Sequence, residues 1–169
     1  MKKMSYKRLY NKALFYLSRY SSSSENLRQV LERNLKKASY EGQELPPDSA
    51  EWIDKIVADF LSLGYLDDKR YIEGKVRSLV DSGKSTKIIF LKLIQKGCSE
   101  EEIENAFNLL EFDKEKVDMK NAKKLVLKRK IGFCRSLEEQ DLFFQKDLAV
   151  LARAGFSFNI AQKALKGEI

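Results

Sequence analysis

A leucine, a glycine four residues on, a serine two beyond it and then an alanine followed by a large apolar residue occur twice in this chain. The copies are Leu93, Gly97, Ser99, Ala106-Phe107 and Leu151, Gly155, Ser157, Ala164-Leu165, displaced by 58 residues at every position. A fixed displacement marks one supersecondary unit that has been copied. Each copy reads as a helix closed by a glycine, then a serine N-cap that opens a second helix. A small helical unit cannot bury its apolar face alone, so the copies are expected to stack and to present an extended surface.

The rest of the chain fits that frame. Pro46 and Pro47 are the only prolines, both in the loop from Tyr40 to Asp48, and no stretch alternates as a strand would. The expected fold is all-α: three tandem three-helix, helix-turn-helix-like repeats in an elongated, curved arrangement. Their bounds are 1–64, 65–112 and 113–169. Helix 1 is expected over about 6–20. Ser22 has capping-box spacing to Glu25 and opens helix 2, which runs to about 39. Asp48 caps helix 3, which runs to Leu63 and is closed by Gly64. Helices at about 68–82, 85–96 and 99–110 form the second repeat, and 114–131, 138–154 and 157–166 the third. Ile72 and Val76 fall fifty residues before Ala122 and Val126, as Ile53 does before Ile103. Gly74, inside a helix, suggests close helix packing.

Several classes of chemistry have no candidates. The chain contains no histidine and two isolated cysteines, Cys98 and Cys134. His-based acid/base and nucleophile systems are therefore absent, as is a structural zinc site. Cys98 sits where Phe156 stands in the next copy and reads as a core residue. Gly83-Lys84-Ser85-Thr86 resembles the end of a P-loop but lacks the earlier glycine, with Ser78 in its place, and lacks a preceding strand. A glycine stop and a serine N-cap explain it. Asp67-Asp68 and Glu100-Glu101-Glu102 read as N-cap and first-turn acids. No catalytic residue, metal or cofactor is expected. No apolar run approaches the roughly 20 residues of a membrane span, so the expected location is cytoplasmic.

Charge is the informative part of the composition. Residues 1–40 carry ten Lys/Arg against two Asp/Glu, 41–112 nine against fifteen, and 113–169 thirteen against eight. Lys116, Lys120, Lys124 and Lys128 recur every four residues and line one helix face, with Lys123 and Lys130 beside them and Arg129 and Arg135 nearby. Like charges at this spacing repel, so a stripe kept against that cost points to a polyanion, with a solvated face as the alternative. Arg28, Arg33, Lys36 and Lys37 form a second basic set. Arg70, Lys84 and Lys87 complete the candidate contacts. The outward residues of the helix-turn-helix-like pairs include several glutamates, a poor set for reading bases.

Three segments carry a family resemblance. Ala13-Leu14-Phe15-Tyr16-Leu17-Ser18-Arg19, Gly64-Tyr65-Leu66-Asp67-Asp68-Lys69-Arg70-Tyr71, and Leu93 to Cys98 with Lys96-Gly97 resemble motifs of the RecX family of bacterial recombinase regulators. The departures are Tyr20-Ser21-Ser22 where the family usually has arginine, glutamate and tyrosine, no proline near Ser85, and Ile72 in place of a small residue. The resemblance implies a non-enzymatic modulator of RecA. It would bind the groove of the RecA–single-stranded DNA filament and limit its ATPase, strand exchange, coprotease activity and growth. The implied partners are the RecA filament and single-stranded DNA, with non-specific duplex binding left open, no membrane, and a monomeric state. A basic nucleic-acid-binding adaptor without a recombinase partner, or a protein-only scaffold, are the alternatives.

Overall fold

The computed structural model describes residues 3–168, and among these it contains nine α-helices, two short 3₁₀ helices and no strand. The helices are α1 (Tyr6–Leu17), α2 (Ser24–Tyr40), α3 (Glu51–Ser62), α4 (Asp68–Asp81), α5 (Thr86–Ile94), α6 (Glu100–Leu109), α7 (Lys114–Arg129), α8 (Leu137–Arg153) and α9 (Phe158–Lys166). None of them is long and apolar enough to cross a membrane.

Start signals are largely local. Ser85, Ser99 and Ser157 each cap the helix that follows, and Ser99 with Glu102 forms a full capping box. Two caps differ from expectation. Ser23, not Ser22, caps α2 by accepting from the Asn26 amide at 3.2 Å. The Ser22 hydroxyl is occupied by the Ser23 carbonyl and the Asn26 side chain. Asp48 does not cap α3: the two prolines start a 3₁₀ turn, Pro47–Ala50, and the Asp48 carboxylate accepts from the Trp52 indole at 3.1 Å. Gly74 does not mark close packing, because a Cβ there would meet nothing within 4 Å.

The helices divide into two packing units. The first runs through Ile72 and takes in Lys96–Cys98. Its core joins Leu9 and Ala13 of α1 to Leu27 and Leu31 of α2 and Ile56 and Phe60 of α3, all fully buried. Tyr10 meets Phe60 edge-on with ring centroids 5.0 Å apart. The second unit comprises Glu73–Gln95 and the chain from Ser99. It includes a core of Ala122 and Val126 from α7, Leu151 from α8 and Ala164 from α9. Cys98 is buried and Cys134 exposed.

Each unit contains the same polar clasp. In the first, the Ser23 hydroxyl donates to the Lys96 carbonyl at 2.6 Å, and the Ser24 amide and hydroxyl donate to the Asp68 carboxylate at 2.7 and 2.5 Å. In the second, the Ser85 hydroxyl donates to the Ala154 carbonyl at 2.7 Å, and the Thr86 amide and hydroxyl donate to Asp118 at 2.7 and 2.8 Å. A helix N-terminus is thus fastened both to a carboxylate and to the end of a later helix. The copied glycines sit at these fastenings. Gly97 (φ +77°) has no room for a Cβ against the Glu25 side chain. At Gly155 (φ +88°) a Cβ would lie 2.5 Å from Ser85 Oγ. The pair Ser85-Thr86, read in sequence as the tail of a partial P-loop, therefore spends its hydroxyls on structure. Asp67 accepts from the Arg70 amide at 2.9 Å as a helix-start acid, whereas Asp68 is the clasp's acceptor.

Candidate functional site

Beside the second clasp lies a basic groove of about 660 Å³. Three elements form it: the turn Ser82–Lys84 between α4 and α5, the face of α7 bearing Asn121, Lys124, Lys128 and Arg129, and the end of α8 with Arg153. Hydrogen bonds hold these elements in register. Asn121 is 1% exposed, and its amide donates to the carbonyls of Val80 (3.2 Å) and Lys84 (2.9 Å), which fixes the turn on α7. The bond from Ser85 to Ala154 brings the end of α8 alongside. Lys124 Nζ reaches the Asp81 carbonyl at 3.2 Å.

Five cations, Lys84, Lys124, Lys128, Arg129 and Arg153, line the groove, and no carboxylate is among its lining residues. Exposed cations without acids repel one another and attract anions. The lysines supply compact point charges on flexible stems, and the arginines supply planar forks suited to phosphate oxygens.

The sequence-predicted residues divide. Lys84, Lys124 and Lys128 meet in the groove. Lys120, Lys123 and Lys130 are exposed on or at the end of α7 but outside its lining, and Lys116 pairs with Asp113 at 3.8 Å. The physical reason is angular. Four residues advance a helix by about 400°, so a stripe spaced by fours drifts about 40° per step, and its two ends face different ways. Lys87 is exposed on α5, outside the groove. In the first unit, Arg28 pairs with Asp54 and Lys37 with Glu41 (3.9 Å), while Arg33 and Lys36 are exposed. Arg70 lines a separate cleft with Tyr65 and Asp67. Sequence reasoning set Arg129 only beside the lysine stripe and did not name Arg153. The 58-residue displacement sets Arg153 opposite Gln95, but its place in the groove depends on the bond from Ser85 to Ala154, 69 residues apart.

The far end of α7 has its own support. Arg135 donates to Asp147 from Nε at 2.8 Å and from Nη2 at 3.0 Å, and the Gly132 amide adds a third bond at 3.0 Å. Burial alone would raise the Asp147 pKa, but these bonds outweigh it and hold the carboxyl below its ordinary value.

Helices throughout the described residues, a clasp built twice and a basic groove with no acid in its lining define a helical protein with a surface suited to anions. No family profile matches the chain. It is similar to Regulatory protein RecX of Myxococcus xanthus (strain DK1622), with 34% identity over 161 residues, 93% of this chain and 83% of that protein. It is also similar to Regulatory protein RecX of Agrobacterium fabrum (strain C58 / ATCC 33970), with 29% identity over 156 residues, 92% of this chain and 80% of that one. The crystal structure of RecX from Lactobacillus salivarius superimposes with a TM-score of 0.67 at 25% identity, covering 96% of this chain and 95% of that one. A second crystal structure, of regulatory protein RecX, gives a TM-score of 0.66 at 23% identity, covers 94% of this chain and 70% of that one, and shares the fold. The chain belongs to the RecX family.

Proposed function

We propose that this protein is a non-enzymatic, cytoplasmic regulator of RecA. It binds the RecA–single-stranded DNA filament and limits its ATPase, strand exchange, coprotease activity and growth. Family membership supports the regulatory role, and the recombinase partner follows from the resemblance in its motifs. The observation that carries the chemistry is the convergence of Lys84, Lys124, Lys128, Arg129 and Arg153 in one groove without an acid. That arrangement suits phosphates of a nucleic-acid backbone, contacted through charge without base reading. The three-helix repeats 1–64, 65–112 and 113–169 remain the proposed building units, and the protein acts as a monomer.

The test is ATP hydrolysis by RecA on single-stranded DNA. Substoichiometric protein should slow it. The combined variant Lys84→Gln, Lys124→Gln, Lys128→Gln and Arg153→Gln should lose that effect while remaining folded. Its binding to single-stranded DNA should weaken, and the slope of log K against log salt should fall by roughly 2–3, at about 0.7 per phosphate contact. An unchanged slope would remove the groove from the interface. Capture of RecA with and without single-stranded DNA tests the partner: DNA binding without RecA capture would overturn the recombinase assignment.

A further inference from the structure

A second surface, in the first packing unit, combines cations with exposed aromatic rings. On α1 and the turn after it, Arg8, Lys12, Phe15, Arg19 and Tyr20 line a cavity of about 430 Å³. Phe15, on the helix that buries Leu9 and Ala13 completely, is 61% exposed, and Tyr20, on the turn after it, is 57% exposed. The Arg19 guanidinium lies 4.6 Å from the Phe15 centroid, and the Tyr16 ring centroid sits 5.2 Å from that of Tyr20. Lys12 Nζ donates to the side-chain oxygen of Asn34 at 3.0 Å, a neutral partner that leaves its charge in place. No carboxylate lines this cavity, and residues 1–40 form the most basic stretch of the chain.

Cations alone would suit any polyanion. Rings held among them suit one class better. Every base of a single strand has a π-face that stacks on an exposed aromatic, while neighbouring cations follow the phosphates. A duplex keeps its bases stacked on each other and cannot offer them. We propose that Phe15 and Tyr20 form a base-stacking platform for single-stranded nucleic acid, with Arg8, Lys12 and Arg19 holding the flanking phosphates. The basis is separate from that of the groove on α7, which needs only phosphates.

The experiment uses the full chain and three probes of equal length: oligo-dT, an abasic oligonucleotide with the same backbone, and a duplex. The wild-type protein should bind oligo-dT more tightly than the abasic strand. Phe15→Ala with Tyr20→Ala should weaken oligo-dT binding by at least about tenfold, the effect of losing one or two stacked bases, and leave abasic and duplex binding unchanged. Lys124→Gln with Lys128→Gln should weaken binding of both single strands, so failure of the groove and failure of the platform read differently. Circular dichroism and melting of the double alanine variant check its fold. Phe15→Trp keeps a ring, should retain oligo-dT binding, and should be quenched by oligo-dT but not by the abasic strand. Equal wild-type affinity for the two strands would overturn the proposal. So would an equal loss on both in the alanine variant, no loss on either, or loss of RecA capture with oligonucleotide binding intact, which would make the patch a protein contact.

Discussion

The clasp around Asp68 and the clasp around Asp118 share their donors, their acceptors and their closing glycine, yet the residues at corresponding positions of the two copies differ in charge. Asp118 lies fifty residues after Asp68, Ser85 lies 62 after Ser23, and Gly155 lies 58 after Gly97. By the same displacements, Lys124, Lys128, Lys84 and Arg153 of the basic groove correspond to Gly74, Ser78, Ser22 and Gln95. Four cations in one copy correspond to four uncharged residues in the other. The clasp positions are constrained by burial and hydrogen bonding, whereas these other corresponding positions are free to gain or lose charge. A copied scaffold can therefore acquire an anion-binding face without altering the packing that holds it.

The largest effects are expected at the closing glycines. An L-residue at φ near +80° costs about 1–3 kcal/mol, and each position adds a collision. Gly155→Ala pushes a Cβ against Ser85 Oγ and to 2.9 Å from Ile88 Cγ1, next to a serine 1% exposed. Gly97→Ala puts a Cβ 2.4 Å from Glu25 Cβ and 2.1 Å from its Cγ, and a Cβ fixed to the helix backbone cannot swing aside. Gly97→Ala should lose about 3 kcal/mol or more, because the start of α2 must shift, and Gly155→Ala about 2 kcal/mol, on this strain plus displacement of a clasp bond. Urea denaturation ranks them, and a reversed order would show that Ser85 is the stiffer neighbour.

Next come the carboxylates. Asp118→Ala leaves the Thr86 amide and hydroxyl without their acceptor in a buried site, a loss of roughly 2 kcal/mol, within the range of about 1–3 kcal/mol expected for an orphaned buried donor. Asp68→Ala should lose about half as much, because Asp68 is only half-buried and water can replace it. Equal losses would mean that solvent reaches both clasps alike.

Legibility in the sequence followed the range of the interaction. Ser85, Ser99 and Ser157 were readable because an N-cap acts within three residues. The paired glycines were readable because a copied constraint repeats. What the glycines avoid was not readable: Glu25 lies 72 positions before Gly97, and Ser85 lies 70 before Gly155. Asp68 looked like a helix-start acid because its partner, Ser24, is 44 residues away. The groove was half legible: periodicity gave Lys124 and Lys128, but the meeting of α7 with Arg153 is tertiary. The aromatic patch was hidden because Phe15 sits in an apolar run, and an apolar run reads as core.

A smaller effect separates two carboxyls of the second unit by pH. Burial raises the Asp118 pKa above its usual 3.8, against the lowering hydrogen bonds from Thr86. Its contribution is fully present below 3.8 and is lost as pH rises through the elevated folded value. Asp147 runs the other way. Its folded pKa is depressed, so its contribution is present above 3.8 and is lost as pH falls through the lower folded value. Asp118→Asn should flatten the stability profile above 3.8, and Asp147→Asn should flatten it below. Unfolding free energies from about pH 2 to 7 check both, and a change confined to the opposite window would refute the assignment.

The smallest effect tests whether the uncharged copy is merely unused. Gly74 stands where Lys124 stands in the second copy, inside α4, and a Cβ added there would meet nothing within 4 Å. No contact there requires glycine, and its backbone lies outside the positive-φ set. Gly74→Ala should therefore stabilise the protein by up to about 1 kcal/mol through helix propensity alone. Gly74→Lys should gain nearly as much, since lysine is almost as good a helix former, and it should also add a cation. If anion binding depends on cations along the helix that carries a clasp acid, Gly74→Lys with Ser78→Lys should steepen the salt dependence of single-stranded DNA binding, by at most about 0.7 per new contact. Gly74→Ala should leave that slope alone. A steeper slope would show that the first copy differs from the second in charge only. Added stability with no change in slope would show that the turn Ser82–Lys84 and the α8 end bearing Arg153, not the helix face alone, make the groove a binding site.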